Sequence, residues 1–171
     1  MPQLADPNFS GSVVLICEHD ANGALGLVIN RPTPFLLGQI FQGQGIEGEG
    51  GSDAPIHQGG PVQPEMGFVL YENGRSYEAS MEVLSELRLG TSLEILRDIA
   101  AGTGPVRFLF FLGYAGWSPD QLEQEIARND WLTVPATAEL LFDVPAEERW
   151  DKAIRILGID PSLLSQDFGT A

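Results

Sequence analysis

At 171 residues, 43% of them hydrophobic, the chain has the length of one domain and enough apolar side chains for a packed core, since a domain of this size buries roughly 70% of its unfolded surface. A mean hydropathy of +0.00 and a charged fraction of 19% exclude an intrinsically disordered chain. With 24 Asp and Glu against 9 Lys and Arg, the net charge is -15; such a surface repels phosphates, which disfavours direct binding to nucleic acid or to an anionic membrane surface.

In chain order, Ser12 to Cys17 and Ala24 to Asn30 are short, β-branched apolar runs. The Asn22-Gly23 turn signal between them predicts an antiparallel hairpin, and apolar residues at nearly every position predict burial on both faces. Arg31-Pro32-Thr33-Pro34 ends the second strand, and Phe35 to Phe41 reads as one or two helical turns. The glycine-rich, acidic stretch from Gln42 to Ser52 reads as an exposed, mobile loop that lacks the Lys and Ser/Thr of a phosphate loop. Pro55-Ile56-His57 is expected as a short strand running into a turn at Gly59-Gly60-Pro61, and Gly67 to Tyr71 as a better strand. Leu84 to Leu89 is expected as one half-exposed strand.

A helix is expected next, with Thr91 as N-cap and Glu94 completing a capping box. Its apolar stripe is Leu93, Leu96, Ile99 and Ala100, and Gly102 is its stop. Arg107 to Leu112 is the most apolar run of the chain and is the expected central strand. The loop Gly113 to Trp117 then leads into a helix capped by Ser118, Pro119 and Gln121 and running to about Arg128. Trp131 to Val134 reads as a further strand. The last clear helix spans about Ala146 to Leu157, with Trp150, Ala153, Ile154 and Leu157 at helical spacing and Gly158-Ile159 ending it; one more turn is expected after Pro161. Strands that neighbour one another and helices that enter late predict an α+β single domain with a mixed sheet, and the glycine-flanked strands permit a partly closed barrel.

The only cysteine, Cys17, excludes an intrachain disulfide, and no Cys/His spacing suits a metal. The N-terminus has no basic n-region and the apolar runs fall short of the roughly 20 residues that span a bilayer. The expectation is a cytoplasmic chain with no metal, cofactor or membrane association.

Several segments resemble the bacterial YqgE/AlgH family. They are Ser12 to His19, Gly26 to Pro32, His57 to Val62, Phe111 to Pro119, Gln121 to Ile126, Trp131-Leu132, Leu141 to Asp143, Arg149-Trp150 and Leu157 to Pro161. They follow the family's order along almost the whole chain, and the Gly113-Tyr-Ala-Gly-Trp117 block with its helix start is the most specific. The resemblance implies an α+β domain whose strongly bent sheet forms a pseudo-barrel flanked by helices. It implies no particular reaction: the transcriptional-regulator label attached to the family rests on alginate regulation rather than on a recognisable DNA-binding motif. This chain has Gly169-Thr170-Ala171 where the family often has Gly-His-Ala, which argues against a role for a terminal histidine.

Candidate functional residues follow from chemistry. Cys17 and His19, two apart at a strand end, can share a face, and a cysteine beside an imidazole can be activated; the competing reading is a core thiol and a turn histidine. Gly113, Tyr114, Gly116 and Trp117 precede a helix start, where a small anionic ligand can meet free amides between aromatic walls; the competing reading is a tight turn over core aromatics. Asn30 and Arg31 with His57 complete a polar pocket if their strand ends converge. Glu123, Glu125, Glu147 and Glu148 read as a solvated face. The leading reading is a regulatory or protein-interaction domain whose partner carries a basic surface. The alternative is a small-molecule hydrolase or transferase using Cys17, His19 and the Gly113 to Trp117 loop.

Overall fold

A computed structural model describes residues 9–72 and 74–160. The turn expected after Pro161 and the Gly169-Thr170-Ala171 ending lie outside the described residues.

The strands are β1 (Val14–Asp20), β2 (Gly23–Val28), β3 (Pro32–Leu36), β4 (Pro55–Gln58), β5 (Val62–Glu72), β6 (Ser80–Leu84), β7 (Leu87–Gly90) and β8 (Phe108–Trp117). The helices are α1 (Leu37–Gln44), α2 (Leu93–Ala100), α3 (Gln121–Ala127) and α4 (Arg149–Ile156), with a π-helical turn at Glu139–Asp143 and a 3-10 turn at Ala146–Glu148 before α4. The eight strands form one sheet in the order β1-β2-β8-β5-β7-β6, with β4 beside β8 and β3 beside β4. All pairs are antiparallel except β4 with β8, so the sheet is mixed, as expected. It curls into a nearly closed barrel, the α+β pseudo-barrel that the resemblance implied.

The bend originates in β8, which changes partner along its length. Phe110, Phe111 and Leu112 pair with β4, whereas Ala115, Gly116 and Trp117 pair with β2. Between these stretches Gly113 has φ 71, which an L side chain rarely adopts. A Cβ on Gly113 would also collide with the Gly60 carbonyl oxygen, and one on Gly60 with the backbone of Tyr114. The two glycine-containing blocks therefore meet backbone to backbone at the point where the sheet folds over.

Alternation along the central strands splits the core into two layers. Val69, Tyr71 and Phe110 face Leu37 and Phe41 of α1 and Ile95, Leu96 and Ile99 of α2. Phe68, Leu70 and Phe111 face Leu15, Cys17, Leu27, Ile29, Leu87 and Leu89 in the barrel interior.

Several expectations are corrected. The hairpin forms, but β1 is not buried on both faces: Leu15 and Cys17 are buried while Ile16 is 36% exposed. The helix expected at Phe35 starts at Leu37, because Pro32 to Leu36 pairs with β4 as a strand. The stretch from Gln42 to Ser52 is exposed over much of its length, as expected, but it is no free loop. It begins as the end of α1, and the Gly50 amide donates to the Ala100 carbonyl at 3.0 Å; Gly48 and Gly50 lie so close to the end of α2 that a Cβ on either would strike its carbonyls. Glycine here serves close docking rather than disorder. Leu84 to Leu89 is a hairpin rather than one strand, with Leu84 paired to Leu87 across Ser85-Glu86.

The N-cap of α2 is Ser92, not Thr91, and it makes no side-chain cap bond; Glu94 pairs instead with Arg75 at 2.7 Å. Leu93 is 44% exposed, and Ile95 takes the core position expected of it. The helix stop at Gly102, φ 74, is as expected. Gly113 to Trp117 continues β8 instead of forming a loop. The start of α3 falls at Gln121 with Asp120 as cap, although the Gln121 side chain still accepts from the Ser118 amide at 3.0 Å, half of the expected capping box. Trp131 to Val134 finds no partner strand and runs as irregular chain.

Candidate functional site

The predicted site residues separate into structural roles. The Cys17 thiol points into the barrel interior, 3.6 Å from the Leu15 carbonyl, and burial pushes its pKa up to about 12. A register shift between Ile16 and Glu18 places Cys17 at a bulge. His19 lies outside on the surface, where Nε2 is 2.6 Å from Glu123 of α3. The pair therefore does not act as a unit, and the thiol has none of the thiolate character a nucleophile needs.

The ends carrying Asn30, Arg31 and His57 do converge. Pro32 pairs with His57, and the Gln58 amide donates to the Arg31 carbonyl at 2.9 Å. Their side chains, however, are taken up by the chain itself. Asn30 accepts from the Val13 amide at 2.8 Å and donates to the Gly11 carbonyl at 2.9 Å, and Arg31 donates to the Ser10 carbonyl at 3.1 Å. His57 is 2% exposed, against the Phe111 ring and 3.3 Å from the Phe110 carbonyl. Burial, reinforced by the Arg149 cation, lowers its pKa to about 4, so the imidazole is neutral.

Arg149 stands in the sequence only as part of a family-like segment, with no role assigned to it. It is 4% exposed, and its guanidinium donates to the Val144 carbonyl at 3.1 Å, to the Leu141 carbonyl at 2.6 Å and to the Ile29 carbonyl. Burial lowers its pKa, but an arginine remains charged, and three carbonyl dipoles replace the lost water. It ties the π-helical turn to the end of β2.

Of the aromatic block, Tyr114 packs edge-on against Phe68 and Trp117 against Phe9 and Trp131, with ring centroids 5.8, 6.2 and 5.9 Å apart. Gly116 and Tyr114 also line a shallow depression with Glu18 and Asp20, whose acidity is ill-suited to an anion.

A second concave feature, lined mainly by apolar side chains, lies between β1, α3, the segment 131–136 and α4. It is a groove of about 350 Å³, within the usual size of a ligand or side-chain pocket. The outer face of β1 supplies Val14 and Ile16, α3 supplies Leu122 and Ile126, and α4 supplies Trp150, Ala153, Ile154 and Leu157. Trp117, Trp131 and Trp150, all three tryptophans of the chain, line it. The Trp150 to Leu157 stripe reads in sequence as ordinary core; its partner, the irregular segment with Trp131, Leu132 and Val134, carries no periodicity that would reveal the groove.

One carboxylate holds that irregular wall. Glu125 Oε2 accepts from Trp117 Nε1 at 2.9 Å and Trp131 Nε1 at 2.8 Å, and Oε1 accepts from Gln121 at 2.9 Å. Partial burial pushes this carboxyl's pKa up, and the indole and amide donors outweigh it and hold the pKa below the ordinary value. Glu125 is therefore no member of a merely solvated face. Among the described residues, no group of three or more His, Cys, Asp or Glu is placed to hold a metal.

Comparison with known proteins adds the following. A family model described as AlgH-like matches residues 1–162. A UPF0301 protein of Ralstonia nicotianae is 51% identical over 173 residues, covering 100% of this chain and 91% of the relative. A UPF0301 protein of Burkholderia vietnamiensis is 50% identical over 175 residues with the same coverage, 100% and 91%. Among solved structures, the solution structure of the AlgH protein from Pseudomonas aeruginosa superposes with a TM-score of 0.82 at 46% identity, covering 100% of this chain and 92% of that one. The crystal structure of protein DIP2367 from Corynebacterium diphtheriae gives a TM-score of 0.69 at 20% identity, covering 90% and 81%, a likeness of fold alone.

Proposed function

The chain belongs to the AlgH-like family, and from that premise we propose that it is a cytoplasmic regulatory domain that works by binding a protein with a basic surface, without touching DNA itself. The observation that carries this reading is the net charge of -15. It favours steering toward a cationic protein and opposes approach to a polyphosphate. A regulator of transcription built this way acts through its partner. For the described residues, no helix is long and apolar enough to cross a membrane.

The alternative of a hydrolase or transferase on Cys17, His19 and the Gly113 to Trp117 block has the geometry against it. The thiol is buried, the imidazole is engaged on the surface, and the block is a paired strand.

Two measurements test the reading. The immobilised chain is exposed to cytosol at about 50 mM and about 500 mM salt, beside a variant with Glu147, Glu148 and Asp151 made neutral. Proteins with basic surfaces are expected on the native chain at low salt only, and less on the variant. Retention that ignores both salt and charge refutes the reading. Labelled duplex DNA should show no change in anisotropy at about 0.15 M salt, and saturable binding there would contradict it.

A further inference from the structure

We infer that Asn22-Gly23, at the tip of the β1–β2 hairpin, is a latent deamidation site that the Asp20 carboxylate holds shut. The inference stands apart from the interaction reading above and concerns how long the hairpin stays chemically intact.

The reactive pair is in place. An asparagine followed by glycine loses its side-chain amide when the glycine amide nitrogen attacks the asparagine Cγ. The N–Cγ bond forms, ammonia leaves, and water opens the resulting succinimide at one carbonyl to give aspartate or at the other to give isoaspartate. Glycine is the most permissive neighbour because no Cβ stands in the path of attack. Asn22 is exposed, so water reaches it. Gly23 in turn cannot be exchanged for a residue with a side chain: its φ is 130, and a Cβ there would strike the Trp117 carbonyl oxygen. The hairpin therefore requires the glycine that makes its neighbour labile.

The local geometry restrains that chemistry. Asp20 Oδ1 accepts from the Asn22 amide at 2.7 Å and Oδ2 accepts from Asn22 Nδ2 at 3.1 Å, and the Gly23 amide donates to the same carboxylate. Nucleophile and leaving amide are thus tied to one anion. Attack requires the Gly23 nitrogen to lose its proton and to turn the freed electron pair on Cγ. Beside Asp20 that nitrogen would become a second negative charge against a carboxylate, and its N–H is directed at the carboxylate instead of at Cγ. The Asn22 amide, and then its side chain, hold the Asp20 carboxyl below its ordinary pKa, so the restraint is ionised at neutral pH. Asp20 and Gly23 are also paired at the closed end of the ladder, which keeps the three residues in this arrangement.

Release of the restraint would act on the sheet. Isoaspartate adds one carbon to the main chain at the turn. Gly23 lies against Trp117, and Ala24 pairs with Trp117 at the end of β8, so the added carbon has no room on that side and displaces β2 from β8.

The test follows the intact chain at neutral pH, native and in urea, by peptide-resolved mass spectrometry. Conversion of amide to acid is read as a gain of one mass unit in the peptide that holds Asn22, resolved from the peptide that holds Asn73-Gly74, the chain's other Asn-Gly pair. Native wild type is expected to react at Asn22 at least about tenfold more slowly than the same chain in urea, since hydrogen bonds to a charged group are worth about one to two decades in rate. Asp20→Ala should close most of that gap. Asp20→Ser, which keeps a neutral acceptor for the Asn22 amide, should fall between. Asp20 is exposed, so both variants should match wild type in circular dichroism. In urea all three should react alike, and Asn22→Ser should show no gain in this peptide.

Equal native and urea rates in wild type would overturn the inference by leaving no restraint. A native rate in Asp20→Ala as slow as in wild type would overturn it by assigning the restraint to the hairpin ladder. A gain that persists in Asn22→Ser places the reaction at another residue and overturns it as well. The isoaspartyl form, separated by chromatography from the Asp20→Ala incubation, should unfold at lower urea than the unreacted variant; an equal midpoint would contradict the displacement of β2 from β8.

Discussion

Replacing His57 by Gln should flatten the acid side of the chain's stability profile. In the folded chain the imidazole is 2% exposed beside the Arg149 cation, and its pKa is lowered to about 4; in the unfolded chain it returns to about 6.5. Protonation therefore favours the unfolded chain. The neutral imidazole's contribution is fully present above about pH 6.5, is lost as pH falls toward 4, and changes no further below that. At 1.36 kcal/mol per pH unit the loss totals about 3 kcal/mol, a large share of a domain's net stability. Urea unfolding of wild type and His57→Gln at pH 7, 6, 5 and 4 measures it. Carboxylate titration and the easing of the -15 net charge are common to both proteins, so the difference between the curves isolates His57. Wild type should lose about 3 kcal/mol relative to the variant between pH 7 and 4. Parallel curves would refute the buried, neutral imidazole.

Other residues give independent tests. Cys17, buried with its pKa pushed up to about 12, should resist alkylation at pH 8 in the native chain and react at the rate of a free thiol in urea; rapid native labelling would place it at the surface. Glu125→Ala removes the acceptor shared by Trp117 and Trp131 and should cost about 2 kcal/mol in urea unfolding, with red-shifted tryptophan emission as the 131–136 segment loosens; unchanged stability and emission would refute the clamp. Gly113→Ala meets both the left-handed φ of 71 and the Gly60 carbonyl; a loss of more than about 3 kcal/mol or outright failure to fold is expected, and a stable variant would show that the switch between sheet partners does not depend on this contact.

The elements specified by local chemistry were legible in the sequence. Asn22-Gly23 marks the first hairpin, Gly102 and Gly158 mark helix ends, with φ 74 and 73, and the Arg107 to Leu112 run lies in the central strand. The errors arise where an apolar or glycine signal has a tertiary cause. Gly113 and Gly116 read as a loop because glycine punctuates turns, yet Gly113 is needed for the backbone approach of Gly60 inside a continuous strand. The glycines from Gly48 to Gly51 read as part of an exposed, mobile loop, although they seat the chain against the end of α2. Trp131 to Val134 has the residue types of a strand and no neighbour to pair with, so its apolar side chains line the groove instead.

The candidate site was less legible than the fold for a related reason. Arg149 looks like one more solvated cation on an acidic helix, and only the carbonyls of Ile29, Leu141 and Val144, far apart in sequence, make it a buried tie. Glu125 is likewise hidden among neighbouring carboxylates until two tryptophans converge on it. Conversely Cys17 and His19, two apart in sequence and attractive as chemistry, are parted by the bulge between Ile16 and Glu18. The Trp150 to Leu157 stripe was visible, but periodicity distinguishes an apolar face from a polar one without saying what covers it.

The central claim, a domain that binds a protein with a basic surface, is tested most directly by titrating the intact chain with a basic partner purified from the low-salt retention experiment, at about 50 mM and about 500 mM salt. The account predicts saturable binding at low salt that weakens by about tenfold or more at high salt. An affinity unchanged across that salt range would contradict it.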